Sequence, residues 1–279
     1  MEPSQLSHEE FERFREFIWH LCGICIAENK LTLLTNRLKR RLRVTGIPNY
    51  QAYYYYLKSR DGAAELPAFL DAITTNETSF FRTEKHFDWL SQEFVAEMLE
   101  HIRKREHDEM IRVWSAACSS GEEVYTIAIC LEEARRRSPI WQFEILGTDI
   151  SEEVLDRAKR GAYNLASIQN VSESLRKRYF ESRDLPDILQ IKPTIRDRVK
   201  FLQHNLLAAP PETSFDVVFL RNVLIYFNRE SKQRVVDQII KAIRPGGYLV
   251  IGPSEGIFDM LPMLKRRHPF AFQKEIPLK

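Results

Sequence analysis

Hydrophobic residues recur at helical spacing along the first part of the chain. The pattern opens after Ser7 and Glu10, which have the spacing of a capping box, and it continues to Ile73. Each apolar stripe would cover one face of a helix, so we predict a small all-helical domain over residues 1–70. The apolar positions and segments that define its helices are Phe11, Phe14, Ile18 and Leu21; Leu31, Leu34, Leu38 and Leu42; Pro48–Lys58; and Leu66–Ile73.

The segment that follows is polar and β-branched at first and aromatic towards its end. Two phenylalanines, Phe80 and Phe81, stand directly before Arg82. A plain connection between helices does not need this combination. We therefore predict that residues 71–91 form a linker that contributes to the active site, and that a further helix begins within it and continues to Ile102.

From Val113 onward, apolar runs of strand length alternate with helical patterns. This alternation predicts the α/β class, with a mostly parallel sheet covered by helices on both faces, over residues 92–279. The predicted strands start at Val113 and continue with Phe143–Leu146, Val199–Gln203, Phe215–Leu220, Tyr248–Gly252 and an edge strand at Phe270–Gln273; predicted helices include Val124–Ala134, Ser151–Arg160 and Ser231–Ile243.

One connection in this domain is far longer than the rest. An α/β connection normally has about 2–6 residues, whereas residues 161–198 separate the predicted helix before them from the third strand. We therefore predict an inserted β-subdomain at 161–198. Within it, Ser172–Phe180 has a helical pattern, and Ile188–Lys192 with Thr194–Lys200 alternates like an antiparallel hairpin.

Composition narrows the class of protein without identifying it. The chain has 44% hydrophobic and 29% charged residues and a net charge of +2, which are ordinary values for a soluble globular protein. Because no apolar run approaches a membrane span and the N-terminus has no signal-peptide pattern, we expect a cytoplasmic protein. The scattered histidines predict no metal site, and the Cys22–Cys25 pair, which lies in a helical pattern, is expected to pack as small apolar residues.

The stretch Val113–Glu123 (VWSAACSSGEE) contains the strongest chemical signal. It has the profile of a buried strand, a loop of small residues and a helix, the opening unit of a nucleotide-binding sheet. Gly121 is its single glycine, and Glu122 and Glu123 occupy the first helical turn, where a phosphate would otherwise sit. The carboxylates would suit a ligand with an ammonium group, such as S-adenosylmethionine, although they could equally complement the helix dipole. At the end of the second strand, Asp149 is well placed for both ribose hydroxyls of an adenosine.

The second predicted helix is strongly basic. Between Asn29 and Gly46 there are six cations and no acidic residue. Such a run is usually a solvated face, but on a nearly neutral protein it favours a docking surface for an acidic partner. The six residues are Lys30, Arg37, Lys39, Arg40, Arg41 and Arg43.

Five segments in order resemble the chemotaxis receptor methyltransferases, the CheR family, over nearly the whole chain. The family implies a class I, Rossmann-like methyltransferase sheet behind a helical domain. It also implies S-adenosylmethionine-dependent esterification of glutamate side chains on chemoreceptor cytoplasmic helices, with S-adenosylhomocysteine as product. Val124 departs from the proline common after the paired glutamates. The segments are Ile73–Arg82 (ITTNETSFFR), Val113–Tyr125 (VWSAACSSGEEVY), Leu146–Ser151 (LGTDIS), Phe215–Phe227 (FDVVFLRNVLIYF) and Gly247–Glu255 (GYLVIGPSE).

The resemblance also implies a role for particular residues. Arg82 and Tyr226 would lie nearest the transferred methyl group, Glu123 would meet the ammonium of the cofactor, and Asp149 would meet its ribose. The remaining cofactor contacts would be Asn76 and Thr78 with Arg82 in the linker, Asn205 and Leu206 beside the adenine, and Asn222 and Val223 beside the methionyl group.

Docking of the receptor is expected on the basic helix, at Arg37, Arg40, Arg41 and Arg43. Arg37 and Arg41 have an alternative, which is to pack against the methyltransferase domain. The inserted subdomain corresponds to one that, in some family members, grips a short peptide tether on the receptor. We expect a monomer that binds no nucleic acid and does not insert into a membrane.

Two other functions stay open at the level of sequence. A class I methyltransferase acting on nucleic acid would use the basic helix, but amino-methylating DNA enzymes usually carry an Asn/Asp-Pro-Pro-Tyr/Phe turn where this chain has residues 221–224 (RNVL). A cofactor-binding scaffold without turnover is the third possibility. The complete set of acidic and asparagine positions argues against lost cofactor binding.

Overall fold

The computed structural model describes residues 5–182 and 187–276. Its N-terminal part consists of helices, as the sequence predicts, and they enclose a core of their own built from Phe11, Phe14, Tyr53 and Phe69. The first helix begins with the predicted capping box between Ser7 and Glu10. The helices are α1 (His8–Cys22), α2 (Leu31–Thr45), α3 (Tyr50–Lys58) and α4 (Leu66–Ile73).

A continuous helical stretch then leads into the central sheet. It contains α5 (Glu84–Trp89), one π-helical turn (Leu90–Phe94) and α6 (Val95–Arg103). Within the described residues the central sheet has seven strands in the order β6-β2-β1-β7-β8-β10-β9. The strands are β1 (Met110–Ala116), β2 (Gln142–Asp149), β6 (Val199–Gln203), β7 (Phe215–Leu220), β8 (Ile243–Ile251), β9 (Leu264–Arg266) and β10 (Ala271–Lys274).

The first five of these strands pair in parallel, and β10 pairs antiparallel with both β8 and β9. The predicted last strand therefore exists, but it does not form the edge, because β9 lies outside it. Apolar clusters cover both faces of the sheet, one containing Phe219 and the other Trp114. The crossover helices are α7 (Glu122–Arg137), α8 (Glu152–Arg160) and α11 (Arg229–Ala242).

In the part of it that the structure describes, the inserted segment forms a separate sheet of three strands in the order β3-β5-β4. Its elements are β3 (Ala162–Asn164), α9 (Glu173–Tyr179), β4 (Phe180–Ser182), β5 (Ile188–Ile191) and α10 (Pro193–Arg196). Tyr163, Phe180 and Ile191 belong to the same apolar cluster as the helices on one face of the central sheet.

The predicted hairpin of Ile188–Lys192 with Thr194–Lys200 is wrong. The first strand exists as β5, but it pairs with β3 and β4. Pro193 instead begins α10, because the fixed φ of proline suits the first turn of a helix. The residues that follow α10 join the central sheet as β6.

The helix predicted at Ser231–Ile243 begins two residues earlier, where Asn228 caps it through its side chain, and Ile243 already belongs to β8. The Pro245–Gly247 stretch lies inside β8, which pairs with β7 through a register shift between Phe215 and Val217. Across the described residues, none of the helices combines the length and apolar character needed to cross a membrane.

Candidate functional site

A cavity opens at the carboxyl ends of β1, β2 and β7, between the sheet, the linker and the N-terminal helices. This is where parallel α/β sheets bind their ligands. The cavity brings together every residue for which the sequence predicts a cofactor or catalytic role: Asn76, Thr78, Arg82, Glu123, Asp149, Asn205, Leu206, Asn222, Val223 and Tyr226. Their individual roles stay predictions.

The loop after β1 forms the floor of the cavity in a strained conformation. Ala117 and Ser119 have positive φ angles of 62° and 50°, which side chains other than glycine rarely adopt. Two hydrogen bonds hold the loop in place: Cys118 donates its N–H to the carbonyl of Thr148 at 2.8 Å, and Ser119 donates its N–H to Asp149 Oδ2 at 2.8 Å. The end of β2 therefore shapes the loop that follows β1.

Asp149 is 7% exposed and faces this loop. Its second oxygen, Oδ1, accepts the N–H of Ser151 at 3.0 Å. Burial raises the pKa of the Asp149 carboxyl, while the N–H groups of Ser151 and Ser119 act in the opposite direction. The carboxylate is thus held in a fixed orientation at the end of β2, where the sequence predicts contact with ribose hydroxyls.

The two glutamates that begin α7 have different environments. Glu122 is buried, accepts a hydrogen bond from Ser120 Oγ at 2.7 Å and does not line the cavity. Glu123 does line it, and its oxygens accept hydrogen bonds from Ser115 Oγ at 2.8 Å and from Arg221 Nη1 at 2.9 Å. Of the paired carboxylates in the motif, Glu123 is therefore the one available to a bound ammonium.

Arg221 lines the same cavity, although the sequence predicts no role for it. Its side chain is 1% exposed, stacks over Phe87 at 5.2 Å and donates to the backbone carbonyl of Arg82 in addition to Glu123. Burial lowers the pKa of Arg221, and the charge of Glu123 opposes that change. The sequence feature that could have identified Arg221 is its position as a single cation directly after the apolar strand β7.

Next to this arginine lies His86, which is 3% exposed. Its ring stacks on Phe270 with 4.2 Å between centroids, and Nδ1 has no hydrogen-bond partner among the described residues. Burial and, to a smaller extent, the charge of Arg221 lower the pKa of His86 to about 3. The ring is therefore neutral across the ordinary pH range.

The linker crosses the cavity and is tied to the surrounding structure at two points. Ser119 Oγ donates to the carbonyl of Asn76 at 2.9 Å, and Phe81 donates its N–H to Thr126 Oγ1 at 3.2 Å. Within the linker itself, Arg82 Nη1 donates to the carbonyl of Glu77 at 3.0 Å. Phe80 is fully buried against Tyr163 of the inserted subdomain, with 4.9 Å between ring centroids. Of the two phenylalanines that distinguish this segment from a plain linker, Phe80 therefore anchors the linker against the inserted subdomain.

The loop after β7 supplies Asn222, Val223 and Tyr226 to the cavity. Asn222 has a positive φ of 58°, and its backbone N–H donates to the carboxylate of Glu255. Leu224 donates its N–H to the same carboxylate at 2.9 Å. Glu255 lies in one of the segments that resemble the family, but the resemblance implies no role for it.

The N-terminal helices form one wall of the cavity through Cys22, Ile24 and Ile73. Cys25 donates its N–H to the carbonyl of Tyr226 at 2.7 Å, and Asn205 Nδ2 donates to the carbonyl of Leu21 at 2.9 Å. The side-chain amide of Asn205 thus joins the helical part to the sheet. Of the two nearby cysteines, Cys22 is buried as predicted, whereas Cys25 is exposed.

The predicted docking arginines divide into two groups. Arg41 forms a bidentate ion pair with Glu65, with both distances 2.8 Å, and Arg37 donates to the carbonyl of Ile73 and to Thr75 Oγ1. The side chains of these two residues are partly buried. Arg40 and Arg43 lie on the exposed side of α2.

The chemistry of the cavity fits S-adenosylmethionine. Asp149 and Glu123 present carboxylates where ribose hydroxyls and an ammonium would need acceptors, and Glu123 would repel a phosphate at the start of α7. Fold and cavity together define a Rossmann-like, S-adenosylmethionine-dependent methyltransferase.

Comparison with known proteins gives the particular family. The family profile described as "CheR methyltransferase, SAM binding domain" matches residues 76–268, and that described as "CheR methyltransferase, all-alpha domain" matches residues 9–74. The chain belongs to the CheR methyltransferase family.

Relatives in three bacteria carry the name chemotaxis protein methyltransferase. The chain is 35% identical to that of Borreliella burgdorferi, over 90% of this chain and 89% of the relative. It is 35% identical to that of Salmonella typhimurium, over 92% and 86%, and 36% identical to chemotaxis protein methyltransferase 1 of Pseudomonas aeruginosa, over 91% and 92%. The likeness therefore extends across nearly the full length of both partners in each pair.

Proposed function

We propose that this protein methylates glutamate side chains of chemoreceptors in the bacterial cytoplasm, forming glutamyl methyl esters. The observation that carries the proposal is the meeting of Arg82 and Tyr226 with Glu123 and Asp149 in one cavity of a CheR-family chain. Two of these residues suit the cofactor, and the other two suit an incoming carboxylate.

In this proposal the cofactor lies across the carboxyl ends of the strands. Asp149 accepts hydrogen bonds from the ribose hydroxyls, and Glu123 accepts one from the ammonium group. Asn205 and Leu206 flank the adenine. The methionyl side is lined by Asn222 and Val223, and the linker residues Asn76, Thr78 and Arg82 close over the ligand.

The ion pair of Glu123 supports its role in this arrangement. Arg221 and Ser115 already occupy one position on each carboxylate oxygen, at 2.9 and 2.8 Å. A carboxylate can accept up to about four hydrogen bonds, so capacity remains for an ammonium. Because both partners hold the side chain in place before the ligand arrives, little ordering is needed on binding.

The proposed reaction needs alignment more than proton transfer. S-adenosylmethionine supplies a methyl group on a positively charged sulfur, and the carbon–sulfur bond breaks as a bond to a carboxylate oxygen forms. A free glutamate side chain has a pKa of ~4.3 and is ionised at neutral pH, so no base has to remove a proton. Arg82 and Tyr226 can each donate a hydrogen bond to a carboxylate oxygen and hold it in line with the methyl group.

The partner is recognised, in this proposal, by the exposed side of α2. Chemoreceptor cytoplasmic helices that accept methyl groups are rich in glutamate, and Arg40 and Arg43 present positive charge on that side. Arg37 and Arg41 contribute by holding α2 against the linker and against Glu65. We propose that the enzyme is a monomer with a helical domain at 1–70, a linker at 71–91 and a methyltransferase domain at 92–279. The subdomain at 161–198 is the proposed binding site for a receptor tether.

The test uses S-adenosylmethionine with tritium in its methyl group and a soluble fragment of chemoreceptor cytoplasmic helices. Alkali hydrolyses glutamyl methyl esters, so the proposal expects volatile labelled methanol from the receptor fragment. A matched fragment with its glutamates replaced by glutamine should release none.

Two outcomes would contradict the proposal. Alkali-stable label on duplex DNA or RNA would indicate a nucleic-acid methyltransferase. Tight cofactor binding with no label on any receptor fragment would indicate a scaffold without turnover.

A further inference from the structure

Glu255 is a fully buried carboxylate just beyond β8, next to the loop that carries Tyr226. Its exposure is 0%. Both oxygens accept backbone N–H groups of that loop: one accepts from Asn222, and Oε2 accepts from Leu224 at 2.9 Å. A buried acid normally requires such partners, because an unpaired buried charge is strongly destabilising.

The loop depends on this carboxylate for its shape. Asn222 lies in the left-handed region, and Leu224–Tyr226 forms a single 3₁₀ turn, so the N–H groups at its start have no partners within the turn. Glu255 provides the acceptors that a regular strand or helix would otherwise supply. At the other end, Tyr226 donates its N–H to the carbonyl of Val223 at 3.2 Å.

The surroundings are built to keep Glu255 in place. A Cβ atom on Gly252 would lie 2.5 Å from Glu255 Oε1 and 3.1 Å from Asn222 N, so a larger residue there would displace the carboxylate from the backbone that it holds. Lys232 donates to the backbone carbonyl of Glu255 at 2.6 Å, and the charges of Lys232 and Arg221 offset part of its burial. Glu255 itself does not line the cavity.

We propose that Glu255 is a positioning residue for methyl transfer: its carboxylate holds the Asn222–Leu224 backbone and thereby orients Tyr226 towards the reacting carboxylate. This inference rests on the proposed function, because it takes the role of Tyr226 from there. It adds a residue that contacts neither cofactor nor substrate.

The first variant is Glu255→Gln, which keeps the shape of the side chain but replaces one acceptor oxygen with an NH2 group. That group would face a backbone N–H, so one hydrogen bond is lost. At saturating cofactor we expect kcat for receptor methylation to fall about tenfold and the receptor KM to stay within twofold. Glu132→Gln is the matched control, a buried glutamate of α7 that pairs with Arg135 away from the cavity, and should leave kcat unchanged.

A double variant separates positioning from general weakening. Tyr226→Phe alone should lower kcat, and adding Glu255→Gln to it should lower kcat by less than a further twofold, because both changes remove the same oriented hydroxyl. Gly252→Ala displaces the carboxylate without altering it and should reproduce the loss of kcat. Thermal melts of every variant show whether the protein is folded.

The outcomes distinguish this inference from the proposed function. Wild-type turnover in Tyr226→Phe would refute the role of Tyr226 and, with it, the proposed site. Slow turnover in Tyr226→Phe combined with unchanged kcat in Glu255→Gln, or with fully multiplicative losses in the double variant, would overturn the positioning role alone. Failure of both Glu255→Gln and Gly252→Ala to fold would also overturn it, since Glu255 would then serve folding.

Discussion

Arg221 Nη1 donates to Glu123 Oε2 at 2.9 Å, although 98 residues separate the two in the chain. Arg221 directly follows β7 and Glu123 lies in the first turn of α7, so the ion pair joins the segments that follow two neighbouring strands, β7 and β1. The same guanidinium donates to the carbonyl of Arg82 in the linker. One buried cation therefore connects three segments that line the cavity.

Replacing Arg221 with methionine should destabilise the protein by about 3 kcal/mol. The methionine fills much of the volume but leaves Glu123 as a mostly buried charge with only Ser115 as partner, and breaking a buried pair on one side typically costs about 3–5 kcal/mol. Urea unfolding of the ligand-free protein measures the change. Arg136→Met is the control, because Arg136 is 56% exposed and 4.0 Å from Glu133, and it should change stability by less than about 1 kcal/mol. Equal effects of both substitutions would contradict the buried-pair interpretation.

Replacing Asp149 with alanine should weaken S-adenosylmethionine binding by at least tenfold. The ribose hydroxyls would lose a charged acceptor, and each hydrogen bond to a charged group is worth about 1.5–3 kcal/mol. Calorimetry measures the affinity. Ser151→Ala disturbs the same turn, since Ser151 Oγ accepts the N–H of Val154 at 3.3 Å, but it leaves the carboxylate intact and should keep affinity within twofold. Unchanged affinity in a folded Asp149→Ala protein would refute the ribose contact.

His86 should make stability fall as pH decreases below about 6.5. Its folded-state pKa, about 3, is lower than the ordinary value, so between these limits the unfolded chain binds a proton that the folded protein does not. The unfolding free energy should drop by about 2 kcal/mol between pH 7 and pH 5 from this group alone.

The comparison variant for that effect is His86→Phe, which preserves the ring stacked on Phe270 and removes the titration. Both proteins retain His107, whose pKa is raised by its hydrogen bond to Asp216 and which acts in the opposite direction. The difference between the two proteins isolates His86. Parallel stability–pH curves would show that the pKa of His86 is not lowered in the folded protein.

Charge reversal on the exposed side of α2 should impair docking of the receptor. Arg40→Glu combined with Arg43→Glu should raise the receptor KM and flatten its salt dependence, because the Debye length near 8 Å at physiological salt still allows a charged patch to steer an acidic partner. Cofactor affinity should not change. Arg103→Glu with Lys104→Glu changes the charge equally at the end of α6, just before β1 and far along the strands from the cavity. Identical salt curves for all three stable proteins would show that the basic side of α2 is merely solvated.

Most of the fold follows from local patterns in the sequence. Helical spacing predicts α1 to α4, because the apolar residues of each helix fall on one face that must be buried. Short apolar runs predict the parallel strands, because such strands are buried on both faces. The loop after β1 and Asp149 could be placed on the same cavity since carboxyl ends of parallel strands meet at one edge. The polar and aromatic pattern predicts the linker, and the family resemblance supplied the roles of individual residues in it and in the loop after β7.

The misses have a common physical cause, which is pairing between distant segments. Alternation at Ile188–Lys192 predicts a strand, but the identity of its partners is set by β3 and β4, which no local pattern reveals. Arg41 has no acidic residue near it in sequence, yet it forms an ion pair with Glu65, which lies directly before α4. Likewise, Arg221 bonds to the backbone carbonyl of Arg82, and Glu255 accepts the backbone N–H of Leu224. Both partners are distant in sequence, so no local pattern reveals these contacts.

The wall that the N-terminal helices contribute to the cavity is synthesised well before the residues that it contacts. Trp19 Nε1 bonds to Ser231 Oγ, 212 residues later in the chain, and Cys25 bonds to the carbonyl of Tyr226. At a translation rate of about 5–20 residues per second, the partners of this wall emerge from the ribosome roughly 10–40 s after it does. The helical part has its own apolar core and can fold during that interval. One wall of the cavity would then form early and stay exposed to water until the last third of the chain has been synthesised.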